Sequence, residues 1–202
     1  MGISTFPASS GGGGASKIQK TEIIKSTQSW TVPADVTSVE VILCGGGANA
    51  GSSNGGGGSV YQEFLTVTPS SSHTITIGAG GGNSSTFGSL FTALGGGQAD
   101  RSDASGLGGG GGGLGTSGVS GLPGGGGAFG LGGGGGGAST NTSFSYSGAG
   151  TNGGGLGTRN TTSSADTISN GKTNTGGGGG GIANGTSTGG SGVCIIKYWS
   201  AL

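Results

Sequence analysis

The sequence has few of the residues from which an ordinary globular core or an active site is built. Hydrophobic residues make up 29% of the 202 residues and charged residues 7%, against about 45–50% and about 25% in a typical soluble domain. Proline occurs 4 times, cysteine 2 times and histidine once. A conventional apolar core along the whole chain is therefore not expected.

The charge and hydropathy patterns exclude two classes of partner. The formal net charge is zero and no basic stripe occurs, so we expect no binding to nucleic acid. No apolar run approaches the ~20 residues of a membrane-spanning helix, so we expect no membrane insertion. The start of the chain, MGISTFPASS, lacks the basic and apolar regions of a cleavable signal peptide.

Residues that usually carry chemistry are isolated. Cys44 and Cys194 adjoin strand-like runs and are expected to be buried, reduced thiols, with a disulfide across a long loop as the alternative. His73 is expected to face solvent from a strand, and with these two cysteines it gives no zinc-binding spacing. Residues 171–173 read Gly-Lys-Thr, but Asp166 stands where a phosphate-binding loop needs glycine. We predict no catalytic residue, no metal, no cofactor and no enzymatic activity.

Runs rich in β-branched residues indicate an all-β fold. They lie at 36–43, 59–67, 73–78, 85–94 (with a turn at 88–89) and 193–199. A hydrophobic strand at 193–199 needs a sheet to join, and the earlier strands are the available partner. We therefore predict a small β-sandwich-like module formed by residues 17–94 and completed by residues 193–199, preceded by a flexible attachment segment at 1–16.

Glycine is the dominant residue, with 59 copies, arranged in blocks rather than at every third position, which excludes collagen. Residues 95–192 are the richest part. Nearly pure runs such as 108–113, 132–137 and 176–181 favour ordered rods over a flexible linker, which usually mixes glycine with serine. Rods with three residues per turn can pack side by side and hydrogen-bond to one another. We predict a glycine-rich, polyglycine-II-like insertion at 95–192.

Several segments in this order resemble the glycine-rich domains of bacteriophage tail-fibre proteins. They are SWTVPADVTSVEV at 29–41, LTVTP at 65–69, TIGAGGG at 76–82, STFG at 85–88 and GVCIIKY at 192–198. The resemblance covers residues 29–198 and implies a β domain on a virion surface, made in the host cytoplasm. The glycine block is also similar in composition to the adhesins at the fibre tips of T-even-type phages, in which packed rods display receptor-binding loops. This chain departs from those proteins because it has no long fibre shaft.

The longest spacers between glycine runs, 138–152 and 156–175, are the predicted binding loops. Aromatic and charged side chains among small polar neighbours suit recognition surfaces, although aromatic side chains that fold under their own loop are the alternative. The receptor-binding candidates are Phe144, Tyr146, Arg159, Asp166 and Lys172.

The expected function is that of a virion structural protein of the tail-fibre or adhesin kind, which binds a host cell-surface receptor. The first alternative is a capsid-decorating or head-fibre protein with no receptor role, and the second is an ice-binding protein on a similar lattice. The expected partners are other virion proteins, bound through the N-terminal segment, and the host receptor. A homo-oligomer is left open.

Overall fold

The computed structural model describes residues 16–51, 54–99, 126–136, 149–157, 169–182 and 185–202. Over these ranges the regular structure is β-strand, with no α-helix. The strands are β1 (Lys17–Ile24), β2 (Gln28–Thr31), β3 (Ser38–Cys44), β4 (Asn54–Gly55), β5 (Val60–Thr66), β6 (Ser72–Thr76), β7 (Ser85–Phe87), β8 (Phe91–Ala93), β9 (Gln98–Ala99) and β10 (Val193–Ala201).

The strands form two antiparallel sheets of four. The first sheet has the order β1-β10-β3-β5 and the second has the order β2-β6-β7-β8, while β4 and β9 form a separate two-stranded pair. The last strand, β10, lies in the middle of the first sheet, with Ile195 opposite Ile23 on one side and Ile42 on the other. The predicted all-β class with a small sandwich-like module is confirmed.

The core lies between the two sheets and follows from the alternation along each strand. Val39, Val41 and Leu43 of β3 point inward and are buried, as are Ile75 and Phe87 of the second sheet. Burying such a side chain contributes about 1.5–3 kcal/mol. Aromatic rings join the sheets, since the Trp30 ring lies 6.0 Å from both Phe87 and Tyr198.

His73 belongs to the rim of this core. It was expected to face solvent, and that prediction is wrong. The imidazole is half-buried and stacks on Trp30 with ring centroids 6.4 Å apart, and it lies 5.3 Å from the Phe87 ring. Because side chains two apart on a strand share a face, His73 points the same way as the buried Ile75.

The glycine runs pack as rods whose hydrogen bonds repeat every three residues. In the run 45–51, the N–H groups of Gly45 and Ala48 donate to the segment 55–59, at the carbonyls of Ser59 (3.0 Å) and Gly56 (2.9 Å). Two residues after each of these donors, the N–H groups of Gly47 and Ala50 donate to the segment 187–192. They bond to the carbonyls of Gly190 and Ser187, each at 2.9 Å. A three-residue repeat is the period of polyglycine-II-like rods.

The run 176–182 lies at the centre of this lattice. In this run, the N–H groups of residues 178 and 181 donate to the carbonyls of Gly133 and Gly136. The N–H groups of residues 179 and 182 donate to Ala48 and Gly51, and that of residue 180 donates to Ser169. The carbonyls of the run accept hydrogen bonds from Gly55, Gly58, Gly155 and Gly190. The central run is therefore bonded to segments 45–51, 55–58, 132–136, 153–157, 169–171 and 187–192. Packing of this kind satisfies backbone groups that would otherwise be buried without partners.

The absence of a side chain is what allows this packing. A Cβ placed on Gly178 would meet the carbonyl of Gly55, and one placed on Gly135 would meet the carbonyl of Gly179, each closer than 3.0 Å. The lattice also includes runs 45–51 and 55–58, which the sequence analysis groups with the β module. The glycine rods thus continue directly from the strands.

Candidate functional site: the loop end of the lattice

One end of the lattice abuts the sheets, because run 45–51 continues from β3 and residues 187–192 lead into β10. At the other end the runs bond to one another. Ile182 N donates to Gly51 O (2.8 Å), Gly180 N donates to Ser169 O (2.7 Å), and Gly136 N donates to Gly155 O (2.9 Å). We call the end defined by Gly51, Gly136, Gly155, Ser169 and Ile182 the loop end.

The binding loops were predicted at 138–152 and 156–175, and their residues 149–152, 156–157 and 169–175 lie in the described lattice. The remaining parts of both loops adjoin described residues at the loop end. Gly136 is the last described residue before the segment 137–148, and Gly157 and Ser169 border the segment 158–168. Gly181 N donates to Gly136 O (2.9 Å), and the adjacent Gly180 donates to Ser169. Two different loops therefore start or finish on neighbouring rods held in one rigid frame.

Four of the receptor-binding candidates, Phe144, Tyr146, Arg159 and Asp166, lie outside the described residues. Their assignment to a receptor surface stays a prediction. What the structure adds is the position of the lattice residues that anchor their loops.

Lys172, the fifth candidate, lies at the opposite end of the lattice from Ser169 and is exposed. It opens a turn in which Thr175 Oγ1 donates to Lys172 O (2.6 Å), and its own N–H donates to Gly153 O (2.6 Å). The carbonyl of Thr175 accepts the thiol of Cys44, the last residue of β3, at 3.5 Å. Lys172 thus lies beside the sheets, away from the loop end.

The two cysteine thiols are buried in the described structure. Burial raises the pKa of the Cys44 thiol and of the Cys194 thiol to about 12, which makes both poor nucleophiles at neutral pH. The described parts of the chain contain no group of three or more His, Cys, Asp or Glu side chains that could hold a metal ion. Within the same parts there is no helix long and apolar enough to cross a membrane.

A second surface, which the sequence analysis missed, lies on the outer face of the first sheet. Trp199 and Phe64 are 45% and 65% exposed there and border a groove. The strand alternation contained the signal, because the inward position of Tyr198 forces Trp199 outward. The sequence predicts both residues only as parts of strands.

The fold is that of a glycine-rich all-β protein, in which two small antiparallel sheets carry a glycine lattice. The model of the glycine-rich domain family matches residues 22–199. The chain belongs to this glycine-rich domain family. A search of curated proteins finds no match.

Proposed function

We propose that this protein is a non-enzymatic virion protein of the phage tail-fibre or adhesin kind, which binds a host-surface receptor through the loops anchored at the loop end. The N-terminal segment 1–16 attaches it to other virion proteins. The tail-fibre assignment comes from the resemblance of segments such as residues 29–41 and 192–198 to phage glycine-rich domains.

The observation that carries the proposal is the common anchoring of segments 137–148 and 158–168. Gly136, Gly155 and Ser169 are linked through hydrogen bonds to each other or to the central run 176–182. A rigid scaffold that positions variable loops is the usual arrangement of a binding surface. Holding both loop bases in place also lowers the entropic cost of binding.

The test is host-cell adsorption of protein in which residues 138–148 and 158–168 are replaced by glycine–serine sequences of equal length. The replacement spares the lattice segments 149–157 and 169–182, so the scaffold should remain folded. We expect adsorption to fall strongly. Tyr146→Ala or Arg159→Ala should each weaken adsorption by about 1–3 kcal/mol if that side chain is an anchor.

Lys172→Ala is the matched control, because Lys172 is exposed but lies at the sheet end of the lattice. It should leave adsorption unchanged. Normal adsorption after both loops are replaced would contradict the adhesin proposal.

That outcome would favour the capsid-decorating or head-fibre alternative, which one observation supports. The segment 1–16 leads into β1, which is an edge strand of the first sheet among the described residues. A free edge can accept a strand from a neighbouring protein, which would dock the chain in a virion without any receptor.

A further inference from the structure

The outer face of the first sheet carries a groove of about 680 Å³. We call it the aromatic groove and define it by Gln19, Ser38, Glu40, Phe64, Thr66 and Trp199. These residues lie toward the end of the sheet that is far from the lattice, since Ser38 begins β3 and the glycine run follows its last residue, Cys44. The aromatic groove and the loop end are therefore at opposite ends of the described part of the protein.

Two exposed aromatic side chains border the groove from rigid positions. Trp199 is on β10 and Phe64 is on β5, with β3 between these strands. Phe64 and Lys197 are both opposite Glu40, and Trp199 is two residues beyond Lys197. The backbones of Trp199 and Phe64 are therefore roughly 12 Å apart, two strand spacings across the sheet and two residues along it. Each residue is paired on one side, with Gln19 opposite Trp199 and Glu40 opposite Phe64. Large rings held on paired strands offer flat apolar faces at low entropic cost.

The groove surface is mainly apolar, and a few ordered polar groups lie between the rings. Glu40 Oε1 accepts hydrogen bonds from Gln62 Nε2 (2.6 Å) and from Lys197 Nζ (3.2 Å). These bonds fix the carboxylate, while Ser38, Thr66 and Gln19 supply exposed hydroxyl and amide groups that can donate or accept. Apolar ring faces with a few fixed polar groups between them suit a small ligand that has both an apolar face and hydroxyl groups.

The charges at the groove are paired. Lys197 Nζ lies 3.2 Å from Glu40, and Lys17, which also lines the groove, lies 3.9 Å from Asp35. Among the described residues that line the groove, each charged side chain thus has a partner of opposite charge. A neutral ligand is therefore favoured.

We propose that the aromatic groove binds a neutral saccharide of one to a few sugar rings. The apolar face of a sugar packs on Trp199 or Phe64, and its hydroxyl groups bond to Glu40, Ser38, Thr66 and Gln19. This inference does not depend on the proposed function, because the groove shares no residue with the loops.

The two tryptophans make the test direct. Trp30 is 4% exposed in the core, whereas Trp199 is 45% exposed in the groove, so acrylamide quenching of fluorescence reports mainly on Trp199. The probes are soluble oligomers of glucose, galactose, mannose and N-acetylglucosamine, added to the full-length protein. We expect at least one of them to protect Trp199 from quenching, with the affinity then measured by calorimetry.

Variants locate the site. Trp199→Ala should abolish binding of the active oligosaccharide, and Phe64→Ala should weaken it by about tenfold, while Trp30 fluorescence shows that each variant is folded. Leu90→Ala is the control, because Leu90 is a 48% exposed apolar residue in the hairpin of the second sheet. It should bind normally.

Three results would overturn the proposal: no binding by any of the four oligomer types, binding that survives Trp199→Ala, or shielding of Trp199 without sugar in a protein with the mass of a dimer. The last result would assign the groove to a second copy of the chain. The protein with residues 138–148 and 158–168 replaced should still bind sugar, so failure of the adhesin proposal and failure of this one are distinguishable.

Discussion

The two cysteines illustrate how a single strand position decides the chemistry of a residue. Cys44 is paired with Val193, and Cys194 is paired with Leu43, so they are neighbours in the first sheet. Their side chains point to opposite faces, because Cys194 belongs to the core between the sheets and Cys44 to a cluster on the outer face. A disulfide cannot join side chains that point apart, and both thiols are free.

We predict that both thiols react slowly in the folded protein and that stability falls at alkaline pH. Raising a thiol pKa from 9.0 to about 12 lowers the thiolate fraction at neutral pH roughly a thousandfold. Because the folded pKa is raised, the neutral thiol is favoured in the folded state. This stabilisation is complete below about pH 9 and is lost as pH rises toward about pH 12.

The measurement is labelling with a thiol-specific reagent in native buffer and in urea, combined with urea unfolding between pH 7 and pH 11. Cys194→Ala should reduce the alkaline loss relative to the unmodified protein. Rapid labelling of both cysteines under native conditions would contradict the prediction, and so would a quantitative Cys44–Cys194 bond.

At the scale of the element, β10 is the strand on which the first sheet depends. It pairs with β1 from Cys194 to Ala201 and with β3 from Val193 to Lys197. It also places Cys194, Ile196 and Tyr198 in the core. The Asp35 carboxylate holds the end of β10, because it accepts hydrogen bonds from Ala201 N (2.6 Å) and Ser200 Oγ (3.0 Å). The bond from Ala201 is the main reason that the pKa of Asp35 is lowered.

Deleting residues 193–202 should therefore unfold the β module, since it would separate β1 from β3 and expose the core. Thermal unfolding followed by circular dichroism and Trp30 fluorescence checks this expectation. The control is deletion of Leu202 alone, which is 83% exposed and should leave the melting temperature nearly unchanged. A cooperative melt retained after deletion of residues 193–202 would show that β10 is dispensable.

The elements differ in how far the sequence predicts them. Strands such as β3 and β10 are predictable because their side chains alternate between the core and the outside. β1 is harder, since Ile18 and Ile23 are 40% and 58% exposed and give no clean alternation. The run 45–51 resembles a simple strand terminator, because glycine carries no side-chain pattern that distinguishes a rod in a lattice from a turn.

The candidate site could also be predicted only in part from the sequence. The spacer lengths indicate loops and their composition suggests binding. That their bases meet at one end depends on which rods are neighbours, and this follows from backbone hydrogen bonds to which the sequence offers no guide. The aromatic groove depends on the register of four strands, and no single segment contains that information.

At the scale of the whole molecule, the sheets and the lattice share contacts that make them one unit. Gly192 N donates to Gly78 O (2.8 Å). Ser85 Oγ donates to Cys44 O (2.7 Å), at the point where β3 ends and the glycine run 45–51 begins. On the outer face of the first sheet, Ala128 and Leu131 cover the apolar cluster of Ile42, Cys44, Val60 and Val193. Because the rods contain few side chains, their order depends on close backbone packing and on being anchored to the sheets.

This coupling predicts that damage in the lattice weakens the sheets. Gly178→Ala puts a Cβ against the Gly55 carbonyl in the centre of the lattice, and overpacking of this kind costs about 1–3 kcal/mol. Gly97→Ala is the matched control, because a Cβ there meets nothing within 4 Å, and it should be neutral or stabilising by up to about 1 kcal/mol. Both changes add the same methyl group to a glycine outside the sheets.

Two probes separate the halves of the molecule. Trp30 fluorescence reports on the core between the sheets, and amide exchange at residues 178–181 reports on the lattice. In the unmodified protein these amides should exchange slowly, since each donates to a carbonyl of a neighbouring segment. With Gly178→Ala, both the Trp30 melting temperature and the protection of these amides should fall together, whereas Gly97→Ala should change neither by much. If Gly178→Ala removed the protection of the lattice and left the Trp30 transition in place, the sheets would be shown to fold without the lattice, and the two halves would be separate cooperative units.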